Sequence, residues 1–523
     1  MASKIAVPGF VSLLVASLTV MLPFVAYAQT KTASQSYAPS TTVSFSRPVT
    51  YSTGGAYSVA VADVNGDGRL DGVFAGSDVV GVMLGRGDGT LQPEVSYLTG
   101  GTFAVQVRVG DLNHDGKADL VVSSYGGGNN GDGSVGVLLG DGDGTFEPVV
   151  TYDPGWPYPG QLAIADVNGD GSPDIVVVNQ SGPGTGDIRV LLGGGDGTFQ
   201  LGGTYDSGGV DLFGVALADV NTDGRPDIVV GGWFSGTVSV LLGNGDGTFR
   251  EPVVYSGGGY PLSVAVADVN GDGKPDLEVA EYTGHGEVGV LLGKGDGTFQ
   301  PIVIYDSGGN FADSLAVADL NGDGNPDVVV TNCGADTIHG CTSLFTSVVS
   351  VLLGNGDGTL QPPATFNAGG NWVSSVAVED LNGDGKPDLV TSDWIPGGIN
   401  VLLNNTPFCS TPPVVTFSAT PMFLWPPNGK MVPVTVSGTI TDTGCTIASA
   451  AYAVTDEYGQ VQPSGPVTLG TGGAYSFTVW LQASRLGSDL DGRLYTVTVR
   501  ASNNAGQTAS QAGTVIVLHD QGR

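Results

Sequence analysis

Basic residues are scarce. Lys and Arg total 18 against 51 Asp and Glu in 523 residues, a formal charge of −33. That balance excludes sequence-independent binding to nucleic acid or to an anionic lipid surface, and it makes cations the expected partners. Histidine is scarcer still: His114, His285, His339 and His519 are the only four, and none has a metalloprotease spacing. The four cysteines, Cys333, Cys341, Cys409 and Cys445, lack the close spacing of a zinc cluster. Beyond the first 25 residues no apolar run approaches the length needed to span a bilayer. No serine nucleophile elbow occurs, and no carboxylate pair for glycoside hydrolysis stands out among the many aspartates. Catalysis therefore finds little support.

What is abundant is glycine, 86 residues, with 30 prolines and a 41% hydrophobic content that suffices for a packed core. Lys4, an apolar stretch from Val11 to Val25 and Ala26-Tyr27-Ala28 read as a secretory signal over residues 1–28. A transmembrane anchor is the alternative, disfavoured by the short run and by Pro23. The mature chain is expected to be secreted or to sit at the cell surface, with no membrane span. Export permits disulfides, and proximity favours Cys333–Cys341 and Cys409–Cys445 among three possible connectivities.

An internal repeat dominates the rest. The first aspartate of an acidic loop recurs at Asp63, Asp111, Asp166, Asp219, Asp268, Asp319 and Asp380, at intervals of 48 to 61 residues. Each unit holds four short Val/Ile/Leu-rich segments, called A to D here, with no room for a ten-residue helix. In the fifth unit they fall near Ser263–Ala267, Leu277–Ala280, Val288–Leu292 and Phe299–Tyr305, with a Gly-Asp-Gly-Thr hairpin between C and D. Four strands repeated seven times predict an all-β chain built on a seven-bladed β-propeller, an open solenoid being the alternative. The seventh unit ends without a D segment, whereas a D-like stretch, Val43 to Tyr51, precedes the first. That stretch is expected to complete the last sheet and close the ring.

Every loop between A and B reads Asp-x-Asn-x-Asp-Gly-x-x-Asp. The candidate ligands in the first four are Asp63, Asn65, Asp67 and Asp71; Asp111, Asn113, Asp115 and Asp119; Asp166, Asn168, Asp170 and Asp174; Asp219, Asn221, Asp223 and Asp227. The last three supply Asp268, Asn270, Asp272 and Asp276; Asp319, Asn321, Asp323 and Asp327; Asp380, Asn382, Asp384 and Asp388. Alternate side chains of a curling loop converge, the sixth-position glycine permits the turn, and an all-oxygen set in a flexible shell suits Ca²⁺ better than Mg²⁺ or zinc. About seven structural calcium sites are expected. The alternative is a series of Asx turns satisfied by their own backbone.

At these residues the chain resembles the FG-GAP/VCBS repeats that build the integrin α-subunit propeller, arrays that many secreted bacterial proteins also carry. The resemblance spans about residues 41–405, although the literal Phe-Gly…Gly-Ala-Pro signature is eroded. It implies a calcium-bearing propeller without implying one activity, since such proteins include adhesion receptors, lectin-like modules and relatives of polysaccharide lyases.

Strand order places the A–B and C–D loops at one end of the ring and the D–A and B–C loops at the other. Aromatics crowd the second end. Tyr57, Phe103, Trp156 with Tyr158, Phe213, Tyr260, Phe311 and Trp372 precede strand A, and Tyr125, Trp233, Tyr282 and Trp394 open the B–C loop. They either pack between repeats or stack on a sugar or partner side chain; Tyr125, Trp233, Tyr282, Trp394, Trp156 and Trp372 are the candidate ligand contacts. After a linker over 406–414, residues 415–523 alternate Thr, Val and Ser, with strands expected at Val432–Thr439, Ala474–Leu481 and Arg493–Ala501. The run from Leu494 to Gly506 resembles an immunoglobulin-like or HYR-type module, and Trp425 reads as a packing residue. The expectation is an exported, calcium-stabilised recognition or adhesion protein for an extracellular glycan or protein; the alternatives are a calcium-dependent polysaccharide lyase or hydrolase, and a structural surface scaffold.

Overall fold

The computed structural model describes residues 43–127, 133–180, 186–333, 335–336, 340–341, 346–394, 397–406, 412–442, 447–460, 462–484, 486, 492–503 and 507–518. The expected signal and N-terminal linker, Cys409, Cys445 and the side chains of Cys333 and Cys341 lie outside them, and so do the disulfide assignments.

Seven four-stranded antiparallel sheets follow one another along the chain. In the fifth repeat the strands are Pro261–Ala267, Asp276–Glu281, Glu287–Leu291 and Val303–Asp306, each bonded to the next. The last begins four residues later than Phe299, where the sequence suggests a start, because Pro301 has no N–H for the ladder. Phe299 keeps only an isolated bridge to Gly293. The third repeat, with no proline there, runs its last strand from Phe199 to Asp206.

The first strands of successive repeats pack side by side, and that of the seventh, Val373–Glu379, packs on that of the first, Ser58–Ala62. The sheets thus form a closed ring, a β-propeller. Their apolar side chains collect into seven buried clusters, one at each junction between neighbouring sheets. The core is distributed, so each sheet depends on both neighbours.

Closure uses the N-terminal segment. Val49–Ser52 pairs antiparallel with Gly398–Leu402, in the register Val49 to Val401 and Ser52 to Gly398. Ser46 N–H donates to Leu403 O at 2.8 Å and Asn405 N–H to Ser44 O at 2.8 Å, continuing the contact. An aromatic ladder also passes from sheet to sheet. In four repeats the tyrosine of the D strand meets the ring after the next Gly-Asp-Gly-Thr hairpin edge-on: Tyr97–Phe146 at 5.3 Å, Tyr152–Phe199 at 5.5 Å, Tyr205–Phe249 at 5.4 Å and Tyr255–Phe299 at 5.6 Å. The seventh repeat lacks that hairpin, and Phe45 takes its place against Phe366 at 5.1 Å.

Residues 412–518 form a two-sheet sandwich. One sheet holds Val414–Val415, Ser418–Thr420, Met431–Thr441 and Ala474–Gln482. The other holds Phe423–Leu424, Ile447–Asp456, Ser464–Pro466, Arg493–Asn503 and Thr508–Val517. Val434, Val436, Val479 and Leu481 face Val454, Tyr495, Val497 and Val499 across its core. Arg493 is buried there against Asp456, 2.5 Å between Nη2 and Oδ2. Trp425, expected to pack, is exposed.

One residue contradicts its surroundings. Glu278, paired across the fifth sheet with Ala265 and Val290, is fully buried, and neither carboxylate oxygen has a hydrogen-bond partner. The other repeats hold Val73, Val121, Val176, Val229, Val329 and Val390 there. Burial, reinforced by the charge of Asp276, pushes its pKa well above the ordinary value. The folded state therefore keeps the proton that the unfolded chain releases, so stability falls as pH rises above the unfolded pKa of about 4.3.

Two outcomes are expected. Deleting residues 40–52 from the full chain should lower stability more than a single core truncation, about 2–5 kcal/mol, as one cooperative thermal transition; a normal melt would exclude ring closure by this segment. Glu278→Val should raise stability, with the gain growing between pH 5 and pH 8 in urea titrations.

Candidate metal loops and ligand face

Each acidic loop is folded onto its own backbone. In the first, Asp63 Oδ1 accepts N–H bonds from Gly66 at 2.8 Å and Asp67 at 3.2 Å, and Oδ2 accepts from Gly68 at 2.8 Å. Asn65 Oδ1 accepts from Asp67 and Asp67 Oδ1 from Arg69, both short Asx turns. Gly68 has φ +80°, a conformation in which a side chain would be strained.

The ninth-position carboxylate does something the sequence reading missed. Asp71 is fully buried, and its Oδ2 accepts the Val64 N–H at 2.9 Å while Oδ1 accepts the Gly85 N–H at 2.7 Å. Val64 opens the loop; Gly85 opens the C–D hairpin. All seven repeats have this pair of bonds, 2.8–3.1 Å to the loop amide and 2.7–2.9 Å to an amide at the end of strand C. In the seventh the hairpin glycine is replaced by Asn404, whose N–H serves equally. The glycine recurring at the end of the C strand in six of the seven repeats was the signal available. These bonds also bring loop and hairpin to one end of the ring, as strand order implies.

Burial raises the pKa of every one of these aspartates, and the fifth- and first-position aspartates of the same loop add to the rise. Asp227 and Asp388 are pushed to about 6, and Asp327 to about 8. Three carboxylates thus repel one another within each loop, and every side-chain donor is oxygen, which is the donor chemistry of a hard cation. Among the described residues, however, no three acidic, His or Cys side chains are drawn together into a preformed cage. His114, at a non-ligand loop position, is exposed.

At the opposite end the B–C loops bond to the segments preceding strand A: Tyr125 N–H to Phe103 O at 3.0 Å, Tyr282 N–H to Tyr260 O at 2.9 Å, and Trp394 N–H to Trp372 O at 2.9 Å. Their rings pack both within and between repeats. Phe103 stacks on Tyr125 at 5.4 Å, and Trp394 lies 5.1 Å from Phe103 and 6.4 Å from Tyr57. Trp233 meets Phe234 at 4.9 Å and Tyr282 at 6.4 Å, and its buried indole N–H has no partner. Val105, Phe213 and Leu262 with the rings of Tyr57, Phe103, Tyr125, Trp233 and Tyr282 make an apolar cap. Asp313 lies nearly buried beside it, with its carboxyl pushed to about 8 by burial. Solvent reaches other rings: Trp156, Tyr158, Tyr260 and Phe234 are 42–63% exposed. Trp156 is held by an indole N–H bond to Asp187 at 2.8 Å. Trp372, like Trp233 and Trp394, is half-buried.

A family model described as FG-GAP-like repeat matches residues 63–122, 125–177, 166–230, 219–279, 278–330 and 341–391, more than half of the chain. A second, for the FG-GAP repeat, matches residues 311–351. The chain belongs to the FG-GAP-like repeat family. Among known proteins it is similar to Integrin alpha pat-2 of Caenorhabditis elegans, 31% identical over 34% of this chain and 18% of that protein. Integrin alpha-IIb of Mus musculus is 31% identical over 23% of this chain and 14% of its own length. A Bos taurus phosphatidylinositol-glycan-specific phospholipase D is 34% identical over 17% and 11% respectively. The chain therefore spans less than a fifth of each relative. A solved Agrocybe aegerita lectin, described as recognising non-reducing terminal N-acetylglucosamine, overlays 67% of this chain and 85% of its own. Its TM-score of 0.42 and 22% identity are too low to carry an inference. Among the described residues no helix is long and apolar enough to cross a membrane.

The ninth-position clamp has a direct test. Asp227→Ala orphans the buried Val220 and Gly243 amides and should cost about 3 kcal/mol, in chelator as well as in calcium, by urea denaturation. Loss of stability in calcium alone would reduce the residue to a ligand.

Proposed function

We propose that this FG-GAP-like repeat protein is an exported, calcium-stabilised recognition or adhesion protein that takes a glycan or protein ligand on the face built from the D–A and B–C loops. The observation that carries the reading is the partition of aromatics on that face. A buried cap fixes the loops, and Trp156, Tyr158, Tyr260 and Phe234 stay open to solvent around it. Exposed aromatic rings on rigid loops offer large apolar contact at little entropic cost, the means by which proteins stack on sugars and partner side chains. We read the C-terminal sandwich as an immunoglobulin-like module that spaces or caps the ring.

Calcium belongs to this reading because each loop holds three carboxylates within repelling reach of one another, though not drawn into a cage, and a divalent cation would neutralise that repulsion. The side-chain oxygens of positions 1, 3, 5 and 9 would hold it, and when bound it supplies charge compensation. For sites of Kd about 0.1 mM in about 1 mM calcium, mass action adds roughly 1.4 kcal/mol each. Seven such sites reach the order of a whole domain's stability, about 10 kcal/mol.

A glycan array probed with and without calcium should give calcium-dependent binding that Trp156→Ala or Tyr260→Ala reduces at least about tenfold, while leaving the melting temperature unchanged. EGTA should lower that temperature by tens of degrees. An array with no hits and no protein partner would leave only a scaffold role, and an EGTA-insensitive melt would remove calcium from the account.

A further inference from the structure

A cavity of about 90 Å³ lies on the axis of the ring, lined by residues from the first strands of all seven repeats. Its polar wall includes Ser58, Gln106, Arg108, Gln161, Ser263 and Ser375. The acceptors of this wall are largely spent on the protein. Gln106 Oε1 accepts the Leu162 N–H at 2.5 Å, and Ser58, Ser375 and Ser263 accept the N–H groups of Val107, Val59 and Leu315 at 3.4 Å, each bond passing from one repeat to the next. A hydroxyl or carboxamide that accepts in this way still has its own hydrogens to donate. Among the described residues none of these four side chains donates to the protein, so their hydrogens are left for the space they line.

Into this ring of donors the second repeat places a charge. Counting three residues back from the first loop aspartate, six repeats have Ala60, Ala163, Ala216, Ala265, Ala316 and Ala377, and the second has Arg108. Of the five N–H donors of its guanidinium, one reaches the Val107 carbonyl at 3.3 Å. No carboxylate among the described residues forms an ion pair with it, in a protein where acids outnumber bases by 51 to 18. Asp313, at the aromatic end, is not part of the cavity wall. Burial pulls the Arg108 pKa down to about 10, a value at which it still carries its full charge near neutrality. Arg108 is half-buried, and a cation so withdrawn from water is costly unless something of opposite sign joins it.

We infer that the axial cavity is an anion site, in which Arg108 and the surrounding hydroxyl and carboxamide donors hold one small monovalent anion of halide, nitrate or formate size. The volume admits several water-sized groups and excludes larger organic anions. The cavity shares Tyr57, Val105 and Phe213 with the buried cap but none of the acidic-loop residues and none of the solvent-exposed rings, so it stands or falls apart from the function proposed above.

The test uses the full calcium-loaded chain and bromide as probe. At constant ionic strength, replacing gluconate by bromide should raise the melting temperature saturably, by about 1–3 °C, and Arg108→Gln should abolish that response. Crystals grown in bromide should show an anomalous peak beside the guanidinium inside the ring. Equal bromide responses in the wild type and R108Q, or wild-type crystals with only water there, would overturn the site. Should R108Q fail to fold, the wild-type anomalous map decides alone.

Discussion

A buried carboxylate that holds two backbone N–H groups at once is the interaction on which this fold depends. Short strands and glycine-rich connections bury little apolar area per residue and lose much backbone entropy on ordering. In each repeat the ninth loop aspartate ties the start of the A–B loop to the backbone at the end of strand C, through bonds of 3.1 Å or less. Charge-assisted bonds to amides are about twice as strong as neutral ones. The same carboxylate must stay ionised to make them, yet burial and two neighbouring aspartates push it toward protonation. The clamp and the loop charges thus work against each other, and a cation among the loop oxygens would favour both the ionised clamp and the closed loop.

Closure of the ring follows from what one repeat cannot do alone. Each sheet buries both faces against neighbours, so a terminal sheet in an open array would leave an apolar face in water. The chain avoids this by giving its N-terminal segment two tasks in the last repeat. Val49–Ser52 serves as the outer strand and Phe45 as the hairpin ring. Tyr51 then completes the circuit by accepting the Leu91 N–H of the first repeat at 3.0 Å.

Much of this was legible from period and composition. The seven-fold recurrence of Asp-x-Asn-x-Asp-Gly, the strand count and the orphan D-like segment before Asp63 lead to the ring, because local spacing determines them. The double bond made by Asp71 was not legible. Its second partner, Gly85, lies fourteen residues on, across a whole strand, and only the folded sheet brings them together. The aromatics were half legible: their place at one end follows from strand order, but which rings pack and which face water depends on contacts between repeats. Trp233 and Trp394 turn inward onto Tyr282 and Phe103, whereas Trp156 is turned outward and held by Asp187. In the sandwich, alternation placed the strands, but Trp425 precedes a proline outside any of them and faces solvent, where the pattern has no say.

Repetition sharpens the meaning of every departure from it. Seven units set an expectation at each position, against which a substitution is measured within one chain. Val becomes Glu at residue 278 inside a junction core, a methyl becomes a guanidinium at residue 108 on the axis, and Asp313 stands level with Tyr57 and Phe213 beside the aromatic cap. None helps build a repeat, since the other six do without it. All three place an ionisable group in a setting that disfavours its charge. Their effects differ with access. Glu278 is sealed among aliphatic side chains and can only remain protonated, whereas Arg108 opens onto a polar space where an ion of opposite sign can join it. Strain at the first is therefore a defect that a valine would relieve, and at the second it is a capacity for binding.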